Sequence, residues 1–225
     1  MVVPLTRPLS HIALGRSRVL AGVTPRRPPC EPYPKSASRL VVVGGATLRT
    51  THCTARGTRV CRAGAGAGSY LHMNLYSTYA EAASSFKAYT QDPEFTSLMR
   101  ERALNPAGEI KGPHIFRTVY GAPTGKPSPV IANRIYSVPR GKQADMLALA
   151  PELEKLMKTV DVSVGAAVPI FADDHEMMGV VYRFSSMEHF GEALDKMTES
   201  TEFMDLVIKA NEIGSLKMAR MLSLM

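Results

Sequence analysis

Two stretches of this chain repeat the same order of residue types at a constant offset of 108. The first runs from Tyr70 to Leu98 and the second, read from two residues further along in register, from Val180 to Leu206. In register, Tyr76 matches Phe184, Ser77 matches Ser185, Thr90 matches Thr198, Glu94 matches Glu202, Phe95 matches Phe203 and Leu98 matches Leu206. Isolated Leu or Ala identities arise at any offset. A shared order of strand, helix, break and Glu-Phe does not, and a duplicated unit restricts the available folds more than any single motif.

Each copy predicts the same elements. A strand, Leu71 to Tyr76 or Gly179 to Phe184, ends at a Ser-Thr or Ser-Ser pair able to cap the next helix. Tyr79, Ala82, Ala83 and Phe86 recur at helical spacing, matched by Met187, Phe190, Gly191 and Leu194. Asp92-Pro93 breaks the first helix, because the residue before proline avoids the helical region, and Ser200-Thr201 marks the same break in the second. Shorter helices follow at Glu94 to Ala103 and Glu202 to Asn211. Beyond Gly108 and Gly214, closing strands are predicted at His114 to Tyr120 and Leu216 to Leu222, with Arg117 and Arg220 in corresponding places.

Only the second copy has an obvious first half. Pro129 to Ser137 is strand-like, Gly141 to Val160 carries Met146, Leu149, Leu153, Leu156 and Met157 on one helical face, and Val162 to Phe171 is a Val-rich strand. Asp173 to Glu176 is a polar hairpin turn. The fold class expected is therefore α+β, with a complete ferredoxin-like β-α-β-β-α-β module at 129–225. Residues 69–121 supply a partial module, its second half only. The missing first half would have to lie within residues 1–67, where Leu40 to Val43 alone reads as a possible strand.

That N-terminal stretch differs in composition from the rest. It holds eleven of the 27 basic residues against one acid, Glu31, so it is +10, whereas 68–225 has sixteen basic and nineteen acidic residues and is −3. All three cysteines, Cys30, Cys53 and Cys61, lie in it, as do Pro clusters and the Ala63–Gly68 run. Its composition fits a disordered tail, a stretch that replaced original coding sequence, or an Arg-rich organelle transit peptide, although Pro4 and Pro8 interrupt any N-terminal amphipathic helix. The overall charge of +7 is thus a property of one segment, and nucleic acid is not an expected partner. No run of about 18 apolar residues appears, so no membrane-spanning helix is expected. A cytoplasmic location follows, or the mitochondrial matrix if residues 1–67 include a transit peptide.

The element order, the strand–Ser–helix–break–Glu-Phe–helix stretch at Gly179 to Asn211 and the closing strand at Leu216 resemble the dimeric α+β barrel superfamily, with its NIPSNAP, EthD-like and antibiotic-biosynthesis-monooxygenase-like groups. The resemblance covers about 150 residues. It implies two modules packed sheet to sheet, from two chains or from one tandem chain, around a ligand cavity. It also implies either a cofactor-independent monooxygenase- or isomerase-like activity on a small apolar organic molecule, or a non-catalytic NIPSNAP-like binding or assembly module. No cofactor is expected.

Helices from one such module cover one face of its sheet, so the other face needs a second sheet. With the first module incomplete, pairing with a second chain as a homodimer is the expected remedy.

Candidate site residues are few. His72 and Asn74 share a strand face with Tyr76, and Tyr182 lies on the matching face of the second copy; on an inter-sheet surface, His72 could move a proton and Asn74 or Tyr182 could orient a carbonyl. Asn133 and Tyr136, flanking Arg134, are similar candidates, and Arg117 and Arg220 could hold an anion through their forked donors. No metal site is expected: Asp173, Asp174, His175 and Glu176 are adjacent in a tight turn and cannot all point at one ion. The methionines on helix faces read as core fillers.

Overall fold

A computed structural model describes residues 40–44, 55–105, 111–123 and 126–225, with side chains from residue 58 onward, all within the unit Ser36–Met225. The readings of disorder, targeting or replacement for residues 1–39 and 45–54 lie outside the described residues.

The two aligned stretches carry the same elements in the same order. Strand β3 (Tyr70–Tyr76) leads into α1 (Tyr79–Gln91) and α2 (Pro93–Leu104). Strand β7 (Met177–Phe184) leads into α5 (Met187–Glu199) and α6 (Thr201–Ile213), so α1 and α5 begin and end 108 residues apart. The caps explain the breaks. Thr78 and Glu81 form a reciprocal capping box on α1, and the Ser186 hydroxyl accepts from the His189 N–H on α5. Asp92 then caps α2 and Ser200 caps α6, each satisfying N–H groups that the helix itself leaves unpaired.

The closing strands are β4 (His114–Tyr120) and β8 (Ser215–Leu224). The second half opens with β5 (Val130–Ser137), followed by α3 (Gln143–Ala148), α4 (Ala150–Lys158) and β6 (Ser163–Phe171). The single helix expected over 141–160 is therefore two, because Pro151 in the first turn of α4 cannot continue the hydrogen-bond ladder of α3.

The first half gains two strands that carry it back beyond residue 67. Leu40–Gly44 forms β1, where an apolar run was visible, and Ala55–Gly64 forms β2. In sheet order the first half runs β4-β1-β3-β2 and the second β8-β5-β7-β6, the same arrangement twice. Antiparallel pairing of β2 with β8 and of β4 with β6 joins the halves into a closed eight-stranded barrel. The bare sheet face that called for a second sheet is thus met within the chain itself. Each half's inner face is buried against the other's within one chain, and no edge is left unpaired.

Two seam features show how tightly the strands meet. Gly64 has φ +84 and lies against the Ala219 carbonyl, where any side chain would collide with backbone. Gly121, with φ +54, packs equally close to the Val164 carbonyl where the linker leaves β4. Among the described residues no helix is long and apolar enough to cross a membrane.

Candidate functional site

Strand alternation separates two environments. On the inner face, Cys61, Ile131 and Leu222 form a buried cluster with Leu71, Met73 and Val181, drawn from five strands of both halves and from no helix. On the outer face of the second half, Val130, Tyr182 and Phe184 pack with Met157, Ala193, Met197 and Phe203 from α4, α5 and α6. Tyr136, Ala166 and Met178 extend that layer under Met146 of α3.

A cavity of about 50 Å³ lies between this outer face and helices α3, α4 and α6. Its wall is apolar apart from three phenols: Tyr120 from the end of β4, Tyr136 from β5 and Tyr182 from β7. The helices contribute Met146, Leu153, Phe203 and Leu206, among others. Arg134 spans the adjoining surface, its guanidinium 5.8 Å from the ring centres of both Tyr182 and Phe203, which fixes those rings by cation–π attraction.

The phenols are not equivalent. Burial pushes the Tyr182 hydroxyl well above the ordinary phenol range, so it stays protonated and can donate a hydrogen bond. Tyr120 donates a 2.6 Å hydrogen bond to Glu154 Oε2, which pushes its own proton loss up to about 12. The same bond, with help from Lys158, holds the Glu154 carboxyl below the usual range, so Glu154 is ionised and accepts. The pocket can therefore orient an oxygen-bearing molecule by donating hydrogen bonds. A group that loses and regains a proton near neutrality is not among its lining residues.

The expected site residues divide between the two faces. Tyr136 and Tyr182 come together in the outer pocket. His72 and Asn74 also sit on an outer face, buried, with Tyr76 of the same strand packed on Ala82 of α1; His72 Nδ1 lies 3.0 Å from the Thr58 hydroxyl. They belong to the first half and lie neither in the inter-sheet space nor beside Tyr182. Asn133 faces the opposite way from Tyr136 and Arg134, into the barrel, in register with Arg220. Arg117 is exposed on β4, whereas Arg220 is partly buried, so the arginines of the two closing strands differ in setting.

Tyr120 and Glu154 were missed from sequence. They are 34 residues apart in different halves and belong to no recognisable spacing. Arg59 and Arg183, both facing into the barrel, were missed as well. The available signal is that none of the eight strands contains an Asp or Glu.

No protein-family model matches the chain, and no curated protein does. Solved structures do match its fold. One is a "putative monooxygenase" of Fusobacterium nucleatum subsp. nucleatum ATCC 25586, with 7% identity, 84% of this chain and 93% of that chain covered, and a TM-score of 0.52. Another is an anthrone oxidase-like protein, with 10% identity, 85% and 92% covered, and a TM-score of 0.54. At such identities the likeness concerns the fold alone. With two four-stranded halves closed face to face and helices outside, this chain has the dimeric α+β barrel fold.

Proposed function

We propose that this protein binds a small, largely apolar organic molecule in the sheet–helix pocket of its second half and acts on it in a monooxygenase-like manner. The observation that carries the reading is the set of phenols in an otherwise apolar wall, Tyr182 buried and protonated and Tyr120 held by Glu154. A flat aromatic or polyketide-like ring system suits the apolar wall, and Tyr182 can donate to its carbonyl or phenolic oxygen. Because no neutral-pH base lines the pocket, the substrate has to be readily ionised itself, as an acidic phenol or activated ketone is. The names of the two matched structures, a monooxygenase and an anthrone oxidase-like protein, favour the same class. Fold alone carries no activity, so the chemistry rests on the pocket.

The cavity volume of about 50 Å³ also supports a second reading, a non-catalytic NIPSNAP-like binding or assembly module. Ligand pockets run to roughly 300 Å³ or more, so a ring system enters only if α3, α4 or α6 moves outward. Titrating anthrone- and naphthol-type compounds into the protein, followed by calorimetry and by mass analysis of aerobic incubations, separates the two. The enzyme reading expects saturable binding, weakened about tenfold in Tyr182→Phe through loss of one hydrogen bond, and a product in which O2 has replaced two hydrogens by one oxygen atom, the second oxygen leaving as water. Binding that leaves the compounds unchanged favours the module. No binding at all, or binding indifferent to Tyr182, overturns the pocket as the site.

A further inference from the structure

Three arginines face the inside of the barrel. Arg59 follows the inward direction of Cys61 on β2, Arg183 that of Val181 on β7, and Arg220 that of Leu222 on β8. Asn133, in register with Arg220, faces the same space. The charged ends are only partly satisfied. Arg59 Nη2 donates to the Ser128 carbonyl at 2.8 Å, and Arg183 Nη2 donates to the Gly121 carbonyl at 3.1 Å. Arg59 Nη1, Arg220 Nε and Asn133 Oδ1 are sealed from solvent with no partner. Arg59 and Asn133 are each more than nine-tenths buried, at 6% and 9% exposure.

The counter-charge is missing from the walls. None of the eight strands contains Asp or Glu, and the ion pairs among the described residues all lie elsewhere. The residues outside the description contain two acids, Glu31 and Glu109. Buried guanidiniums without carboxylates are strongly unfavourable, and two backbone carbonyls offer partial charges only. Burial accordingly lowers the proton affinity of all three, and Arg59 adds to the effect at Arg183.

We propose that the barrel interior is a binding site for a small oxyanion, held by Arg59, Arg183 and Arg220 with Asn133. Forked guanidinium donors match carboxylate and phosphate oxygens in geometry as well as charge. The unpartnered Asn133 oxygen accepts from a protonated ligand oxygen, which hydrogen phosphate or a hydroxycarboxylate carries. The site is separate from the sheet–helix pocket, since its residues point to the opposite face of the sheet. Arg59 and Arg183 also hold Ser128 and Gly121 at the two ends of the linker between the halves. An occupied site thus ties the closure of the barrel to anion binding.

The test uses the full chain in a phosphate-free buffer, with inorganic phosphate as probe and sodium chloride matched for ionic strength as control. Citrate serves as a second probe that presents carboxylates in place of phosphate. Thermal unfolding is expected to shift upward with the logarithm of phosphate concentration, by roughly 5–10 °C at a hundred times Kd. Phosphorus NMR line broadening reports binding to the folded protein directly. Arg183→Met and Arg220→Met are expected to abolish both responses. If a methionine variant fails to fold by circular dichroism, Arg183→Lys and Arg220→Lys, which keep the charge but lose the fork, are expected to bind at least tenfold more weakly. A response that citrate gives and phosphate does not assigns the carboxylate form of the same site. No saturable response to either probe beyond chloride overturns the proposal, as does a response unchanged in the arginine variants. Anion binding that appears only in Glu31→Gln or Glu109→Gln also overturns it, by showing that the chain fills the site itself.

Discussion

The hydroxyl of Tyr120, at the end of the first half, donates a 2.6 Å hydrogen bond to the Glu154 carboxylate on α4 of the second. One bond therefore links the halves beside the pocket, and it sets both groups' titration. Glu154 is depressed by Tyr120 first and by Lys158 after it, so its contribution to stability is present above the ordinary carboxylate range and is lost as pH falls through its lowered value. Tyr120 is raised, chiefly by Glu154, so its contribution is present below about pH 10 and is lost as pH rises through about 12. In Tyr120→Phe, the Glu154 carboxyl is expected to titrate higher by carboxyl NMR. One late-titrating phenol should also vanish from the alkaline ultraviolet titration. An unchanged Glu154 titration would mean that the bond is absent in solution.

Gly165 packs where the linker meets the barrel. A methyl group there would lie 2.7 Å from the Gly121 carbonyl oxygen and press on the Arg183 guanidinium. Gly165→Ala is expected to destabilise by about 1–3 kcal/mol, an overpacking cost, in urea unfolding. A neutral result would contradict the close packing of Gly165 on both the Gly121 carbonyl and Arg183.

Phe203 is 4% exposed, lines the pocket and carries the Arg134 stack. Phe203→Ala should cost roughly 3–5 kcal/mol by opening a cavity in the core. It should also admit larger aromatic compounds than the wild type, as read by calorimetry.

Helices α2 and α6 match in the repeat but not in anchoring. Helix α6 buries Phe203 and Leu206, whereas α2 buries no residue. Amide hydrogens of α2 are expected to exchange much faster than those of α6, because local opening of α2 exposes little apolar surface. Removing the caps sharpens the contrast. Ser200→Ala should lower global stability by about 1 kcal/mol, while Asp92→Ala should mainly speed exchange within α2.

How much of this was legible in the sequence depends on which face a residue serves. The helices, their breaks and the outer-face aromatics follow from spacing and caps, as Thr78, Asp92, Ser186 and Ser200 show. Strand β2 was hidden by the feature that gives it interest: Arg59 points into the barrel, where the usual alternation expects an apolar side chain. Alternation groups His72, Asn74 and Tyr76 correctly, yet it cannot say which face a helix covers; Tyr76 resting on Ala82 decides that only in three dimensions. The pairing of Tyr120 with Glu154 depends on closure of the barrel, which no local pattern encodes.

The barrel closes within one chain across β2 and β8. Val60 and Ser223 face each other in that seam. Directly opposed residues of an antiparallel pair lie within disulfide reach. The measurement is oxidation of Val60→Cys/Ser223→Cys, with Cys30 and Cys53 changed to Ser and the buried Cys61 to Ala, followed by non-reducing electrophoresis and peptide mapping. The account predicts an intrachain disulfide in a monomer. Disulfide-linked dimers, or two thiols that stay free in the folded protein, would contradict it.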